Sequence, residues 1–398
     1  MNKSMVWRTL GILIALSMLL SACSGTAAPA TATPAKGVSA TDTPSAAPAG
    51  QKVTSSGFVC PEPENKAQLT SKELNLFVWT EYIPQDMIDC FQLIYDIKIN
   101  RDEYSSNEDM YAKVSAGGVN YDLLLPTDYI ITLMIRQGML QKIDKAQITS
   151  MKNFDPTYLN LAFDPGNQYT VPYEVGTDAL IYDSATVSNP PKAWADLWRP
   201  EYADHLVLLD DSRVAIGFTL LTLGYDVNTT DPKQLDQAKV KLAELVKNVK
   251  LFDSDSPKTA LIAGDVNVGS TWTGEAFAAH KEKPTLTYVY PTEGATIWQD
   301  NWVIPKGAGH SDAIYAWLNY INQGNVFWLM LRDYSYTNPN KAALDYAKDN
   351  QPDLYKTYMD SPITNVPADA LAKTHRIDDV GDAVKLYDQI WTEVKGGN

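Results

Sequence analysis

Apolar runs of strand length alternate with apolar stripes of helical spacing along most of this chain, and this alternation limits the fold more than any other feature. A buried strand is predicted over Leu74 to Trp79 and a helix over Asp86 to Tyr95. The pattern continues with a strand from Lys98, a helix over 110–115, a strand over 121–125, and helical stripes at Leu235, Ala238, Leu242, Leu245 and Val249 and at Ile314, Trp317, Leu318 and Ile321. Strands that alternate with helices predict an α/β fold with largely parallel sheets.

The N-terminus has the pattern of a lipoprotein signal peptide. Lys3 and Arg8 precede an apolar run over 10–20 that is too short to span a bilayer. The sequence Leu-Ser-Ala-Cys at 20–23 resembles a bacterial lipobox, in which the cysteine is acylated and becomes the first residue of the mature protein. We therefore expect a signal peptide over 1–22 and lipidation of Cys23. An ordinary signal peptide that happens to contain a cysteine is the alternative.

Residues 23–57 consist almost wholly of Ala, Thr, Pro, Ser and Gly, which predicts a disordered, lipid-anchored tether. About 340 residues follow, enough for two domains with their own cores. The formal net charge is −15, and loss of a signal peptide with Lys3 and Arg8 but no acid makes it −17. Such a surface disfavours nucleic acid and anionic membranes and attracts cations, although a merely soluble acidic exterior explains it equally well.

Two cysteines, Cys60 and Cys90, remain once Cys23 is acylated. An even pair outside the cytoplasm favours a disulfide that fastens the end of the tether to the first helix, and two unpaired buried thiols are the alternative. The histidines match no metal-ligand spacing, so we expect surface positions for His205, His280, His310 and His375. Neither a metal nor another cofactor is expected.

Aromatic and acidic residues follow several predicted strands. The segments are 79–82, 126–129, 210–214, 272–275 and 298–300. Ligands of open α/β sheets bind at the carboxyl ends of strands. Aromatic faces attract ammonium groups and cover methylenes, while carboxylates form charge-assisted hydrogen bonds. This composition therefore favours a ligand with positive charges on an aliphatic chain. The alternatives are that the tryptophans are core residues, or that they line a sugar site, which needs fewer acids.

Seven short segments carry a family resemblance. They are Trp-Thr-Glu-Tyr-Ile-Pro at 79–84, Ser-Asn-Glu-Asp-Met-Tyr-Ala-Lys at 106–113, Gln-Lys-Ile-Asp-Lys at 141–145, Trp-Ala-Asp-Leu-Trp-Arg-Pro-Glu-Tyr at 194–202, Leu-Gly-Tyr at 223–225, Asn-Thr-Thr-Asp-Pro-Lys at 228–233 and Asp-Val-Gly at 379–381. In these segments the chain resembles the spermidine/putrescine-binding component of the bacterial polyamine importer. The resemblance extends from Leu74 to the C-terminus.

The resemblance implies a two-lobed, type II periplasmic-binding-protein fold. One lobe would comprise 71–176 plus 299–344, and the other 177–298 plus 345–398. The crossings near Gly176 and Trp298 would be hinges, and closure would bury the ligand. The implied role is an extracytoplasmic monomer that binds a polyamine, spermidine or putrescine, and hands it to the membrane permease subunits of an ABC importer. Its membrane contact would be through the lipid anchor alone.

The resemblance also implies ligand contacts. They are Trp79, Thr80, Tyr82, Thr127 and Tyr129 from the first lobe, Asp211 and Trp272 from the second, and Trp298, Asp300 and Tyr336 near the crossings. Asp300 is expected to bind an amine, because an unpaired carboxylate in an aromatic cleft is costly until a cation arrives. Packing at a strand end is the structural alternative for Trp79 and Tyr82, and helix capping is the alternative for Asp211.

Three positions depart from the family pattern. Val214 stands where spermidine-binding relatives often place a glutamate, and Ile377 lies near where they place a glutamine. Glu275 coincides with an acid of putrescine-preferring relatives, so it would restore an amine partner or shift the preference toward a shorter diamine. The expected carboxylate set is Asp211, Glu275 and Asp300, with the exact polyamine left open.

The sequence also bears on two other classes of function. An enzyme is disfavoured, because the chain has no Ser-His-Asp order and no phosphate-binding glycine loop, and the adjacent acids at 210 and 211 would point apart on an extended segment. The same fold with another solute, such as a zwitterionic amine, iron or a sugar, is the alternative. Iron would need a pair of tyrosines with acids. A zwitterionic ligand would need Arg213 to enter the cleft and neutralise Asp211.

Overall fold

The structure is a computed structural model that describes residues 50–396. The strands are β1 (Glu73–Trp79), β2 (Lys98–Tyr104), β3 (Leu123–Leu124), β4 (Leu140–Gln141), β5 (Thr170–Asp183), β6 (Leu206–Leu208), β7 (Val249–Phe252), β8 (Val268–Trp272), β9 (Leu286–Val289), β10 (Thr296–Pro305) and β11 (His375–Arg376). Predicted signal-peptide residues 1–22, the lipidation site Cys23 and the tether up to residue 49 lie outside the described residues.

The helices lie between these strands. They are α1 (Gln85–Tyr95), α2 (Asn107–Ser115), α3 (Asp128–Arg136), α4 (Ser212–Thr222), α5 (Pro232–Val246), α6 (Pro257–Ala263), α7 (Thr273–Glu282), α8 (Ser311–Ile321), α9 (Gly324–Phe327), α10 (Leu329–Asp333), α11 (Lys341–Asn350), α12 (Pro352–Asp360), α13 (Ala368–Leu371) and α14 (Val384–Gly396). Short 3-10 turns occupy Thr149–Asn153, Pro156–Tyr158, Trp194–Trp198, Pro200–Tyr202 and Gly381–Ala383. The α/β expectation is confirmed.

The sheet is parallel toward both ends and antiparallel in the middle. Its strand order is β2-β1-β3-β10-β5-β8-β6-β7, with β4 and β11 paired to β10 and β9 paired to β5. Strand β1 is parallel to β2 and β3, and β6 is parallel to β7 and β8. The long strands β5 and β10 are antiparallel neighbours. The prediction of largely parallel sheets therefore holds at both ends, but it missed this central pair.

One predicted helical stripe is too long. Leu235, Ala238, Leu242 and Leu245 are buried in α5 as expected, but α5 ends at Val246 and Val249 begins strand β7. Val249 follows Leu245 by four residues, so it matches the helical period although the chain has already turned. The prediction for Val249 was wrong for this reason.

Many of the large aromatic side chains form the core. Trp194, Trp302 and Trp317 are fully buried. The Trp302 and Trp317 rings meet edge to face with centroids 6.0 Å apart, and Trp194 stacks on Phe218 at 4.8 Å. These three indoles therefore stabilise the fold, in line with the core alternative, and they take no part in a cleft.

The end of the predicted tether is packed against α1. Cys60 and Cys90 are joined by a disulfide bond. Val53 forms a β-bridge with Val59, and the hydroxyl of Thr54 donates to Asp86 Oδ1 at 2.7 Å. Residues 50–57 thus differ from the tether expectation, because Asp86 and the disulfide hold this segment. Within 50–396, no helix combines the length and hydropathy needed to cross a bilayer.

Replacing Gly269 tests the packing of the central strands. Gly269 has φ 154°, and a Cβ there would lie 1.8 Å from the carbonyl oxygen of Val207 on β6. Gly269→Ala should therefore reduce the free energy of unfolding by about 2–4 kcal/mol, measured by chemical denaturation. Gly309→Ala is the matched control, because a Cβ there has no heavy atom within 4 Å. Equal losses in the two variants would contradict this account.

Candidate functional site

A cavity that is partly open to solvent lies at strand ends and helix starts, and the space within its walls, open solvent included, is about 690 Å³. All eleven predicted contact residues line the cavity: Trp79, Thr80, Tyr82, Thr127, Tyr129, Asp211, Trp272, Glu275, Trp298, Asp300 and Tyr336. They come from segments far apart in the sequence, so the fold brings together residues that were singled out separately. Their contact with a ligand stays a prediction.

Asp300 lies in the middle of β10 and is 3% exposed. Its Oδ2 accepts a hydrogen bond of 2.7 Å from the Tyr82 hydroxyl, and its Oδ1 accepts one of 2.6 Å from Thr127 Oγ1. Burial raises the pKa of Asp300 to about 7, although these two hydrogen bonds lower it. Asp300 has hydroxyl partners, which the sequence did not indicate. Among residues 50–396 no lysine, arginine or histidine is bonded to it.

Indole and phenol rings form a continuous wall of the cavity. The Trp298 and Trp272 rings are perpendicular with centroids 6.0 Å apart, and Tyr336 lies 5.5 Å from Trp298. Tyr336 also meets Tyr82 edge to face at 5.5 Å. The Trp272 indole N–H donates to the Ser254 carbonyl, which fixes the orientation of this ring. The wall offers aromatic faces to a ligand in the cavity.

Asp211 both lines the cavity and caps a helix. Its Oδ1 accepts from the backbone N–H of Val214 at 2.9 Å, as an N-cap residue of α4 does. Burial raises the pKa of Asp211. Asp211 is therefore a helix cap, which was its structural alternative, and also a lining residue of the cavity. Both are compatible because the cap uses one carboxylate oxygen and leaves the second. Its sequence neighbour Asp210 does not line the cavity and binds Lys395 and Trp391.

Arg213 does not line the cavity. Its guanidinium donates to the Asp378 carbonyl and to Asn228 Oδ1, each at 3.0 Å, and lies 4.6 Å from the centre of the Tyr387 ring. The side chain is 1% exposed. Arg213 therefore does not enter the cavity, as a zwitterionic ligand would require. Its charge nonetheless lowers the pKa of Asp211 against the larger effect of burial, and its guanidinium lies 5.6 Å from the centre of the Tyr129 ring.

Glu275 is already paired with a lysine. Lys258 Nζ lies 2.7 Å from Glu275 Oε1 and 2.7 Å from Glu81 Oε2. The backbone N–H of Lys258 also donates to Glu275 Oε2 at 3.3 Å. Burial raises the pKa of Glu275, and the Lys258 ammonium opposes this shift. An incoming amine would have to compete with Lys258 for this carboxylate, which the sequence did not reveal.

Four further lining residues were not among the predicted contacts. They are Glu81, Asn107, Ser254 and Asp255. Glu81 and Asn107 stand in segments that carried the family resemblance. Ser254 and Asp255 follow strand β7, so the strand-end rule applied to that strand would have found them. The two departures from the family pattern, Val214 and Ile377, also line the cavity and present apolar side chains there.

The histidines are exposed or half-buried and none lines the cavity. Their recorded bonds are local, such as His310 Nδ1 to Asp122 Oδ2 at 2.9 Å. Over residues 50–396, no group of three or more His, Cys, Asp or Glu side chains is placed to hold a metal ion.

Two solved structures show which class of fold this is. The substrate-binding protein of a spermidine/putrescine ABC transporter from Streptococcus pneumoniae is 30% identical, with a TM-score of 0.68, covering 82% of this chain and 99% of that one. A lipoprotein of Treponema pallidum is 27% identical, with a TM-score of 0.72, covering 81% and 99%. The fold is that of the periplasmic binding proteins.

Sequence comparison identifies the family. The model of the bacterial extracellular solute-binding proteins matches residues 120–358. The spermidine/putrescine-binding periplasmic protein of Salmonella typhimurium is 36% identical over 329 residues, which are 81% of this chain and 92% of that protein. This chain belongs to the family of bacterial extracellular solute-binding proteins. Such proteins bind and release a solute unchanged, so the chain is not an enzyme.

The raised pKa of Asp300 predicts a pH-dependent cost to the ligand-free fold. Its pKa is about 7 in the fold, against an ordinary value of 3.8 for an aspartate side chain, so the folded state holds the proton more tightly. The free energy of unfolding therefore falls as pH rises between these two values. Asp300→Asn should leave stability near pH 4 unchanged and raise it at pH 8, by ~4 kcal/mol at most. Denaturant unfolding of the ligand-free proteins at both pH values measures the difference.

Asp312 supplies a control of opposite sign. Hydrogen bonds from Ser71 and Thr70 lower the pKa of Asp312, so its carboxylate stabilises the fold at neutral pH. Asp312→Asn should therefore lower stability at pH 8. A loss of stability at pH 8 in both variants would contradict the account of Asp300.

Proposed function

We propose that this chain is an extracytoplasmic receptor that binds a polyamine in the cavity and delivers it to an ABC importer. The observation that carries the proposal is the charge of the cavity lining. Glu81, Asp211, Asp255, Glu275 and Asp300 line the cavity, and within residues 50–396 Lys258 is the single cation that forms an ion pair with any of them. Burial raises the pKa of Asp211, and the charge of Arg213, which does not line the cavity, lowers it by less. A polyamine supplies the missing positive charges. The relatives named above as spermidine/putrescine-binding support the same ligand class.

The aromatic wall and the acids have separate roles in this proposal. Ammonium groups bind to Asp300 and Asp211 through charge-assisted hydrogen bonds, which are roughly twice as strong as neutral ones. Trp79, Trp272 and Trp298 cover the methylenes and attract the ammonium groups by their quadrupoles, each contributing about 0.5–2 kcal/mol. Thr80, Tyr82, Thr127, Tyr129 and Tyr336 complete the proposed set of contacts.

The preferred length of the ligand depends on how many carboxylates of the cavity lining have no ion-pair partner within residues 50–396. Lys258 occupies Glu275, and Val214 and Ile377 offer no polar group. Among the lining acids without an ion-pair partner in that range, Asp255 is exposed and already accepts a hydrogen bond from Thr80. Asp211 and Asp300 are then the principal partners for ligand amines, and two carboxylates suit a diamine such as putrescine. The ion pair with Lys258 thus favours the shorter ligand, which is one of the two effects expected of Glu275.

Closure of two lobes is part of the proposal. The lobes are 71–176 with 299–344 and 177–298 with 345–398. The proposed crossings face each other, because Gly176 and Trp298 are register partners of β5 and β10. Lys258 bonds Glu81 across the proposed lobe boundary, and Thr80 donates to Asp255 across it. Such contacts favour the closed form, which is the form that a permease would recognise.

The location of the receptor is proposed from the N-terminal sequence. A signal peptide over 1–22, acylated Cys23 and a tether would hold a monomeric receptor at the outer surface of the cell membrane. The lipoprotein of Treponema pallidum supports such an anchor. The periplasmic relatives support the extracytoplasmic location.

A thermal-shift panel tests the ligand class. Putrescine, cadaverine, spermidine, spermine, agmatine, amino acids and sugars are compared, and a polyamine at one hundred times its dissociation constant should add about 2.7 kcal/mol to the free energy of unfolding.

Asp211→Asn should weaken polyamine binding by about 2–4 kcal/mol. Asp210→Asn is the matched control, since Asp210 lies outside the cavity, and it should bind normally. Stabilisation by a sugar or an anion alone would contradict the proposal.

Val214→Glu tests the origin of ligand preference. The side chain at 214 lines the cavity at the start of α4, so a new carboxylate there should bind a third amine and raise the affinity for spermidine relative to putrescine by roughly tenfold. Calorimetric titration of both ligands gives the ratio, and Val214→Gln controls for size without charge. An unchanged ratio in Val214→Glu would remove this position from ligand selection.

A further inference from the structure

Two buried acids of β5 lie outside the roles assigned so far. Glu174 and Asp178 are both 0% exposed. Within residues 50–396, neither carboxyl accepts a hydrogen bond from another residue. Burial of a carboxylate without a partner is costly, and the group usually becomes neutral instead. Two such acids on one strand therefore point to a function that balances this cost.

The strand register places both acids on the face that carries the cavity. Glu174, Gly176 and Asp178 alternate along β5, so they share one face of the sheet. Their register partners are Asp300, Trp298 and Thr296 on β10, and Trp272 on β8 pairs with Asp178. Partners in an antiparallel pair lie side by side on one face, with Cβ atoms about 4.5–5.5 Å apart. Glu174 is therefore the direct neighbour of Asp300.

The Trp298 indole lies against β5 at Gly176, and neither Glu174 nor Asp178 lines the cavity. A Cβ at Gly176 would lie 2.2 Å from this ring, so the ring occupies the space left by the missing side chain. It thereby lies between the strand positions of Glu174 and Asp178. A ligand stacked on the indole would place its charges close to carboxyls that it does not touch.

Each buried acid is coupled to an acid of the cavity lining. Burial and the neighbouring Asp300 raise the pKa of Glu174 well above its ordinary value. Burial and the neighbouring Asp211 likewise raise the pKa of Asp178 well above its ordinary value. A hydrogen bond from the backbone N–H of Asp178 lowers this pKa, but by less. The Coulomb interaction between such groups is strong where water is excluded.

The titratable groups that face these acids come from several elements. The groups around Glu174 and Asp300 are Tyr82, Tyr104, Asp128 with its partner Arg376, Tyr173, Tyr336 and Tyr358. The groups around Asp178 and Asp211 are Glu108, Tyr129, Asp210, Arg213 and Tyr288. Arg376 is committed to Asp128, and Arg213 is held by Asn228 and Asp378. Neither arginine is therefore a partner for Glu174 or Asp178.

On the basis of the proposed function, we infer that Glu174 and Asp178 are a second row of recognition carboxyls, protonated in the empty receptor and ionised when a polyamine binds. The ammonium groups arrive fully protonated and bind Asp300 and Asp211. Their charge stabilises the carboxylates behind the indole, and the displaced protons pass to the buffer. Glu174 and Asp178 are thus positioning residues that act through the lining acids. Affinity consequently falls with falling pH, by about tenfold per pH unit for each proton released.

Calorimetric titration of putrescine in buffers of different ionisation enthalpy counts the released protons. At neutral pH, the wild-type protein should release protons, and Glu174→Gln and Asp178→Asn should each release about one fewer while still binding. Asp183→Asn is the matched control. Asp183 ends the same strand and is buried, but Lys283 lies 2.8 Å from its carboxylate, so its proton count should equal that of the wild type. Glu174→Met is a second, apolar variant in case the amide is poorly accommodated.

The outcomes separate the two proposals. A proton release that falls by about one in each of the Glu174 and Asp178 variants supports the inference. Binding without proton release, or release that is unchanged in either variant and therefore comes from other groups such as Asp300, overturns the inference and leaves the receptor function intact. Absence of any heat or thermal shift with every polyamine overturns the receptor function itself.

Discussion

Carboxyl groups that are buried without a permanent cation dominate the physical chemistry of this receptor. Asp300 and Asp211 line the cavity with raised pKa values, and burial is the largest cause in each case. The fold holds them by local means, through two hydroxyl donors for Asp300 and a helix N-terminus for Asp211. These donors partly replace water but bring no full positive charge, and of the two acids Asp211 is also affected by a nearby cation, Arg213. Under the proposed function, the cost that remains is the free energy that a cationic ligand would recover on binding.

The sheet explains why these acids converge. Strands β5 and β10 run side by side through the middle of the sheet, and both carry acids on the face that bears the cavity. Strands β1 and β8 end at the cavity with Trp79 and Trp272 as their last residues. Gly176 has no side chain, so the Trp298 indole lies against the strand and becomes the floor of the site. A neutral, sugar-binding cavity would have no need for such a concentration of acids.

Much of the lining could be predicted from the sequence, because strand ends and family motifs are local signals. Strand ends found Trp79 and Asp211. Segment 298–300 was predicted to follow a strand but lies inside β10, so Asp300 was found through the family resemblance. Asp255 was missed because the start of β7 was predicted as part of a helix. The pairing of Lys258 with Glu275 could not be predicted, since the two residues are 17 positions apart and meet only through α6 and α7. Glu174 and Asp178 were missed for another reason. They stand inside a long strand, where periodicity alone does not show which face is buried.

The central claim is that positive charge at both ends of an aliphatic chain is what this cavity recognises. Calorimetry with three ligands that share a four-carbon chain, 1,4-diaminobutane, butylamine and 1,4-butanediol, tests this claim most directly. The account predicts that the diamine binds at least about a hundredfold more tightly than the monoamine, and that the diol shows no measurable binding. Comparable affinity for the diamine and the diol would contradict it, because the methylenes and the aromatic wall would then account for recognition without the acids.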